Sequence, residues 1–394
     1  MERFSDRLSL SGGGIEASKT LAVTALARKL KSEGRDILSL TAGEPDFCTP
    51  AHVADAGVEA IQSGATRYTA AAGEPALREA VARNYSARWD RELRREQVCV
   101  SSGAKPLLYY LMSVLLDPGD EVLYPRPFWV SYEAMVKMRS GRPKPIETRL
   151  EEGLKLKAAD LDASVTDRSK LLLLNNPTNP TGAVYSRKEL LELAEVVRDR
   201  DLLVISDEIY EDLLYGDLSH QSLYTVAPWM PERTVVVSGV SKSFAMTGWR
   251  LGYALGDPAI IVPLANYQSQ ALSSPSQISQ RAALAAMDGP REPIEAMRLA
   301  FEERRNLVCD FFSATGFPFV DPQGAFYLFF DTSPVLEARG WEDGNRFCSE
   351  LIEEEGVVLV PGDAFGMPNY ARLSFAASED DLRSAFERLG RFFR

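Results

Sequence analysis

Lys242 and Arg250 stand on one short glycine- and serine-rich stretch, Ser238-Gly-Val-Ser-Lys-Ser-Phe-Ala-Met-Thr-Gly-Trp-Arg250, and each has a distinct chemical use. A lysine held among Phe244, Met246 and Trp249 loses hydration. That disfavours its ammonium form and leaves a free amine able to attack a carbonyl carbon. Arg250 is always charged, and its planar fork matches a phosphate through two parallel hydrogen bonds. One amine and one phosphate clamp on a single turn suit a phosphate-bearing aldehyde held as a Schiff base. The competing reading is a solvated surface lysine beside an unrelated arginine, and other parts of the chain must decide.

The elements around this stretch explain how such a lysine could be positioned. Thr234-Val-Val-Val237 enters it and reads as a buried strand, because β-branched residues suit a pleated, packed surface. From Gln97 onward strands and helices alternate. Val98-Cys-Val100 turns at Ser101-Ser-Gly-Ala-Lys105 into a helix to Leu116; Glu121-Val-Leu-Tyr124 precedes a helix from Phe128 to Met138. Lys170-Leu-Leu-Leu-Leu174 leads into Asn175-Asn-Pro-Thr-Asn-Pro-Thr-Gly182, Ser186 caps a helix to Asp199, and Leu202-Leu-Val-Ile-Ser206 ends in Asp207-Glu-Ile-Tyr210. This alternation implies an α/β fold with a mostly parallel sheet covered on both faces.

The flanks read differently. A helix from Lys19 to Lys31, a strand Ile37-Leu-Ser-Leu-Thr41 and a helix capped by Thr49 with Pro50 at its first position precede that unit. After a long helix, Pro293 to Ser313, come strands Ala325–Phe330, Val357–Val360 and Arg372–Phe375, with a helix near Gly344 to Glu355 and another at the end. The expected division is a large domain over 47–290 and a smaller α+β domain from 1–46 plus 291–394.

Composition excludes several classes. The 394 residues hold 45% hydrophobic and 25% charged residues, ordinary for a globular chain, with a formal net charge of -12. That balance disfavours nucleic acid and anionic membranes as partners, and no apolar run reaches the ~20 residues of a membrane span. The start, Met1-Glu-Arg-Phe-Ser-Asp-Arg7, is too charged for a secretory signal. Cys48, Cys99, Cys309 and Cys348 form no C-x-x-C pair and read as buried side chains in a reducing, cytoplasmic compartment. The two histidines, His52 and His220, lie far apart without metal-ligand spacing, so no metal is expected and each reads as a surface or packing residue.

In parallel sheets ligands sit beyond the carboxyl ends of the strands. Ser102–Lys105, Asn179–Gly182, Asp207–Tyr210 and the Lys242 loop all fall there, and each meets a need of pyridoxal 5'-phosphate. Asp207 opposite the ring nitrogen would keep it protonated and make the ring an electron sink. Tyr210 and Asn179 could hydrogen-bond the ring oxygen, and Trp129 could stack on the ring face. The helix after Gly103 offers free N–H groups and a positive dipole end to a phosphate. Singly, Asp207 could be a strand-end cap, Asn179-Pro-Thr-Gly a turn and Trp129 core packing; the argument rests on their joint order.

With these residues in place, the sequence resembles the fold-type I pyridoxal-phosphate aminotransferases of class I, in their bacterial aspartate aminotransferase branch. Gly239-Val-Ser-Lys-Ser-Phe-Ala-Met-Thr-Gly-Trp-Arg-Leu-Gly252 carries the lysine signature, and the likeness runs from Ser18-Lys-Thr20 to Arg372-Leu-Ser. The resemblance implies that Lys242 is the Schiff-base lysine, Asp207 the pyridine-nitrogen partner, Tyr210 and Asn179 the holders of the ring oxygen, Trp129 the stacking residue and Arg250 the phosphate ligand. It adds Gly103, Ala104, Lys105 and Ser241 to the cofactor set and implies that Tyr68 reaches the neighbouring subunit's phosphate in a homodimer. Arg372 would grip the substrate α-carboxylate, with Gly43 offering its backbone N–H. One position departs: Gly239 stands where some members carry a phosphate-binding serine, and Ser238 or Ser241 is left to compensate.

The resemblance implies transfer of an amino group from aspartate to 2-oxoglutarate, with Lys105, Ser18, Thr20 and the partner's Ser269 holding the side-chain carboxylate. Aromatic, prephenate or broad-range transamination, or lyase chemistry on the same fold, stays open. Acyl transfer by Ser102-Gly-Ala-Lys105 lacks the companion motifs of that chemistry. A cofactor-binding regulator would need a DNA-binding domain and a basic face, and the chain is acidic.

Overall fold

Seven strands pair into one sheet in the computed structural model, which describes residues 14–393. They are β1 (Val98–Ser101), β2 (Glu121–Pro125), β3 (Arg142–Ile146), β4 (Ser169–Asn175), β5 (Leu203–Asp207), β6 (Thr234–Gly239) and β7 (Gly252–Leu255). Their spatial order is β1-β7-β6-β5-β4-β2-β3. Strand β7 runs antiparallel to both neighbours, so β1 and the remaining five strands share one direction. Six carboxyl ends therefore lie along one edge. That edge receives the turn after each of them.

Both faces of this sheet are covered, which is why its strands read as unbroken apolar runs. Val235 and Val237 of β6 join one cluster with helices Ala104–Leu115 and Pro258–Ala271, while Val236 points the other way into a cluster with Val53, Leu77 and Ala282. Leu171 to Leu174 are fully buried, alternating between two clusters. Burying each such side chain contributes about 1.5–3 kcal/mol, so the register of β4 is firmly set.

The other elements build a second layer structure. Strands β8 (Phe319–Val320), β9 (Tyr327–Asp331), β10 (Val360–Pro361) and β11 (Tyr370–Ser374) form an antiparallel sheet in the order β10-β11-β9-β8. It packs on a phenylalanine-rich core that includes Phe301, Phe312, Phe330, Phe347 and Phe375. Helix Glu292–Thr315 leads into it and stops at Gly316, whose φ of 75° closes the helix in the left-handed conformation. Leu38–Ser39 pairs in parallel with Val357–Val358 and ties the N-terminal segment to this unit.

Several local readings need correction. Helix Ala51–Gln62 takes Pro50, not Thr49, as its N-cap, because the Thr49 hydroxyl is drawn away to the Ala245 carbonyl at 3.0 Å. The helix expected from Phe128 starts at Ser131, since Phe128 and Trp129 are spent on a turn beside Phe365. Val357–Val360 is two short strands in different sheets rather than one. Cys48 is exposed and Cys309 half-buried, against the expectation that all four cysteines are buried; Cys99 and Cys348 are. The reading of Met1–Arg7 lies outside the described residues.

Candidate active site

The shared carboxyl edge opens into a cavity of about 490 Å³ lined by residues from both sheets' neighbourhoods. Thr20, Gly43, Ala104, Lys105, Trp129, Asn179, Asp207, Tyr210, Ser241, Lys242, Arg250 and Arg372 all face it. Lys242 sits in a four-residue helical turn, Val240–Ser243, straight after β6. Its Nζ donates to the Gly43 carbonyl at 2.6 Å and lies 6.0 Å from the Tyr210 ring centre. Burial pulls its pKa down to about 8; Glu44 opposes that shift, while Arg250 and Arg372 add to it. About a tenth of the amine is then free at pH 7, far more than for an exposed lysine.

Asp207 ends β5 on the floor of the cavity, about 5% exposed. Burial raises its pKa to about 6, held back by the Tyr132 hydroxyl, which donates to Oδ2 at 2.7 Å, by the Ile209 N–H and by Lys242. A carboxylate so poor in cationic neighbours is ready to take a charged ring N–H as partner. Tyr210 is buried, its hydroxyl 2.9 Å from that of Tyr327. Asn179 is held by its backbone N–H to Asn175 Oδ1 at 2.7 Å, and Asn175 donates at 2.8 Å to the Asp207 carbonyl.

Arg372 rises from β11, fully inside. Its Nη1 donates to Asn179 Oδ1 and its Nη2 to the Thr41 carbonyl, both at 3.0 Å, while its Nε has no protein partner. The guanidinium lies 4.3 Å over the Tyr327 ring and 5.0 Å over that of Phe365. A buried cation with no carboxylate among the described residues is costly alone, so an incoming carboxylate is the partner this arrangement lacks.

The phosphate end is a cradle of close backbone approaches. Gly103 precedes helix Ala104–Leu115 with φ 104°, and a Cβ there would stand 2.8 Å from Arg250 Nη2. A Cβ at Gly252 would meet Ala104 N at 2.5 Å. These contacts bring the free N–H groups of the helix start against the Arg250 guanidinium, a fitting arrangement for an anion. The residues present therefore fit a phosphorylated ring aldehyde.

A family model described as aminotransferase class I and II matches residues 35–389. The chain belongs to that family. It is 42% identical over 387 residues to an aspartate aminotransferase of Bacillus subtilis, covering 98% of each chain. An aspartate/prephenate aminotransferase of Thermus thermophilus is 42% identical over 380 residues, 96% of each. Among solved structures, an aspartate aminotransferase from Thermus thermophilus with maleate superposes with a TM-score of 0.93 at 41% identity, over 98% of this chain and 99% of that one.

Not every expected residue of this aminotransferase reaches the cavity. Tyr68 is 87% exposed and lies in a separate depression with Gln277 and Arg281. Ser269 donates to the Asn266 carbonyl at 2.7 Å outside the cavity. Ser18 lines an adjoining cavity of about 930 Å³, which shares Lys105, and its hydroxyl is 3.0 Å from that of Thr20. Trp129 lines the site with its ring edge-on to Tyr132 and the Lys105 ammonium 4.7 Å over it. Of the two serines left open, Ser241 faces the cavity, whereas the Ser238 hydroxyl turns away to Glu211 at 2.6 Å. Gly239 lies flat against Gly252; a Cβ would come within 2.8 Å of the Gly252 Cα, so no larger residue fits this backbone.

Sequence reasoning missed Tyr132, Tyr327, Thr24, Thr41 and Glu44. Tyr132 and Tyr327 looked like ordinary aromatic positions in apolar runs, and only their hydroxyl partners mark them. His220 is a packing residue, its side chain 6% exposed, with Nε2 3.2 Å from the Asn176 carbonyl and 3.7 Å from Glu208. The ligand atoms of Glu208, Glu211 and His220 come within 4.8 Å of one another, but Arg88 and the hydroxyls of Tyr85 and Ser238 already occupy the Glu211 oxygens.

Proposed function

We propose that this chain moves the amino group of aspartate to 2-oxoglutarate in a ping-pong cycle on pyridoxal 5'-phosphate. The observation that carries the reading is the convergence of Lys242, Asp207, Tyr210, Asn179, Arg250 and Arg372 on one cavity. The aspartate specificity draws support from the aspartate aminotransferases among the relatives and from the Thermus structure with maleate, a four-carbon diacid.

When bound, the cofactor supplies an aldehyde carbon and an electron sink. Asp207 would hold the ring N–H, Tyr210 and Asn179 the ring oxygen, Trp129 the ring face, and Arg250, Ser241 and the Gly103-Ala104 turn the phosphate. Arg372 takes the substrate α-carboxylate on its unpartnered Nε side, with Gly43 beside it. Lys242, whose pKa burial lowers to about 8 in the cofactor-free chain, would take and return a proton within the cavity. Lys105, Thr20 and Ser18 form the side-chain carboxylate end, joined by the partner's Ser269, while Tyr68 serves the partner's phosphate in a cytoplasmic homodimer. The large unit over 47–290 and the smaller one from 1–46 plus 291–394 are part of the same proposal. Among the described residues no helix is long and apolar enough to cross a membrane.

A panel of amino donors with 2-oxoglutarate, together with borohydride reduction and peptide mapping, tests this. Aspartate and glutamate should lead, aromatic donors should follow, and the reduced adduct should sit on Lys242. Label at another lysine, or a panel led by aromatic donors, would overturn the assignment or the specificity respectively.

A further inference from the structure

We propose that Arg88, remote from the cavity, is a positioning residue that braces the Lys242 loop from behind; the inference rests on the reading of Lys242 given above. Arg88 closes helix Pro75–Trp89 and reaches two neighbouring carboxylates at once. Its Nη1 lies 2.5 Å from Glu211 Oε2 and its Nη2 2.7 Å from Asp212 Oδ1. Arg291 adds a second contact to Asp212 at 2.6 Å. None of these residues lines the catalytic cavity.

The first of these carboxylates in turn holds the loop. Ser238, the residue before Gly239, donates to Glu211 Oε1 at 2.6 Å, and Ser243 lies near enough to Asp212 to favour its charged form. The entry to the Lys242 turn is therefore tied at Ser238 to a carboxylate that Arg88 keeps in place. The same segment alternates in its duties: Asp207 and Tyr210 face the cavity, while Glu208, Glu211 and Asp212 face away. Tying its back face to Ser238 fixes the distance between the amine of Lys242 and the cavity-facing pair.

Electrostatics make Arg88 decisive in this array. Burial by itself would raise the pKa of Asp212, but Arg88 and then Arg291 outweigh it and hold the group ionised. Glu211 holds Arg88 strongly charged against the opposing effect of burial. The Glu211 side chain is only 2% exposed, and the Tyr85 hydroxyl shares its Oε1. Without the guanidinium, Glu211 would be an uncompensated buried charge beside Asp212 and near Glu208, whose pKa burial has already raised to about 7. A buried carboxylate left without its cation turns toward other partners, which loosens its hold on Ser238.

Arg88→Met, Arg88→Lys and Ser238→Ala, made in the full chain with cofactor bound, test this. The readouts are Tm, the kcat and KM split for aspartate, and the pH midpoint of the lysine–cofactor chromophore without substrate. That midpoint also senses Glu44, Asp207, Arg250 and Arg372, which are unchanged in all three variants. Arg88→Met should lower kcat about 10- to 100-fold with KM nearly constant, as expected for a displaced reacting group. Its midpoint should move by about half a unit or more. Arg88→Lys, which can satisfy one carboxylate, should fall between it and wild type. Ser238→Ala leaves the ion pairs intact and should reproduce the midpoint shift, so it decides the matter if Arg88→Met does not fold. A lowered Tm with unchanged kcat and midpoint would make Arg88 merely structural and overturn the proposal. A wild-type protein without any lysine-bound chromophore would instead refute the reading of Lys242, and this inference with it.

Discussion

Replacing Lys105 by alanine isolates the side-chain end of the substrate site from its cofactor end. Lys105 stands on the first turn of helix Ala104–Leu115, where the two cavities meet, and forms no ion pair among the described residues. Its pKa is lowered by loss of hydration and by the nearby Arg250, so the site holds two cations and favours an anion. A hydrogen bond between charged groups contributes about 1.5–3 kcal/mol, and the residual exposure of Lys105 places this one at the lower end. A loss of about 1.5–2 kcal/mol predicts a fall in kcat/KM for aspartate of roughly 10- to 30-fold. Phenylalanine has no second carboxylate, and its kcat/KM should change less than about threefold by the same arithmetic. Steady-state kinetics on both donors, with 2-oxoglutarate saturating, measures the difference. Equal losses on the two donors would show that Lys105 supports the helix start or the phosphate, and the dicarboxylate reasoning would fail.

In the cofactor-free protein, Lys242 should react with an amine-directed reagent at a rate that rises with pH and levels off above about 8, because burial holds its pKa there. Glu44→Gln should shift that curve to lower pH by removing the negative charge that favours the ammonium; a Lys242 that titrates with the surface lysines would contradict the burial argument. Mixing Lys242→Ala with Tyr68→Phe chains should restore part of the activity through one intact shared site, whereas Lys242→Ala with Arg372→Ala should restore none. Absence of recovery despite proven exchange and a severe Tyr68→Phe defect would count against shared sites. Gly252→Ala should weaken cofactor retention and destabilise the fold by about 1–3 kcal/mol, since its methyl would press on the Gly103-Ala104 turn; a variant with unaltered cofactor affinity would deny that turn a phosphate role.

Much of this protein was legible from residue order. Apolar runs such as Leu171–Leu174 can be satisfied only between two covered faces, so the parallel sheet and the edge carrying Asp207 and Lys242 follow from local pattern. The Lys242 stretch suggests its chemistry through residue types, and the order of Asn179, Asp207 and Tyr210 at the strand ends decides it. Pairings across long sequence separations were settled only by packing. Arg372 meets Asn179 across 193 residues, Tyr132 finds Asp207 across 75, and Arg88 reaches Glu211 across 123. Periodicity says which face a side chain takes, not which distant group waits there. The choice between Ser238 and Ser241 shows the same limit: both sit beside Lys242 in sequence, yet the direction of a single turn sends one hydroxyl to Glu211 and the other into the cavity.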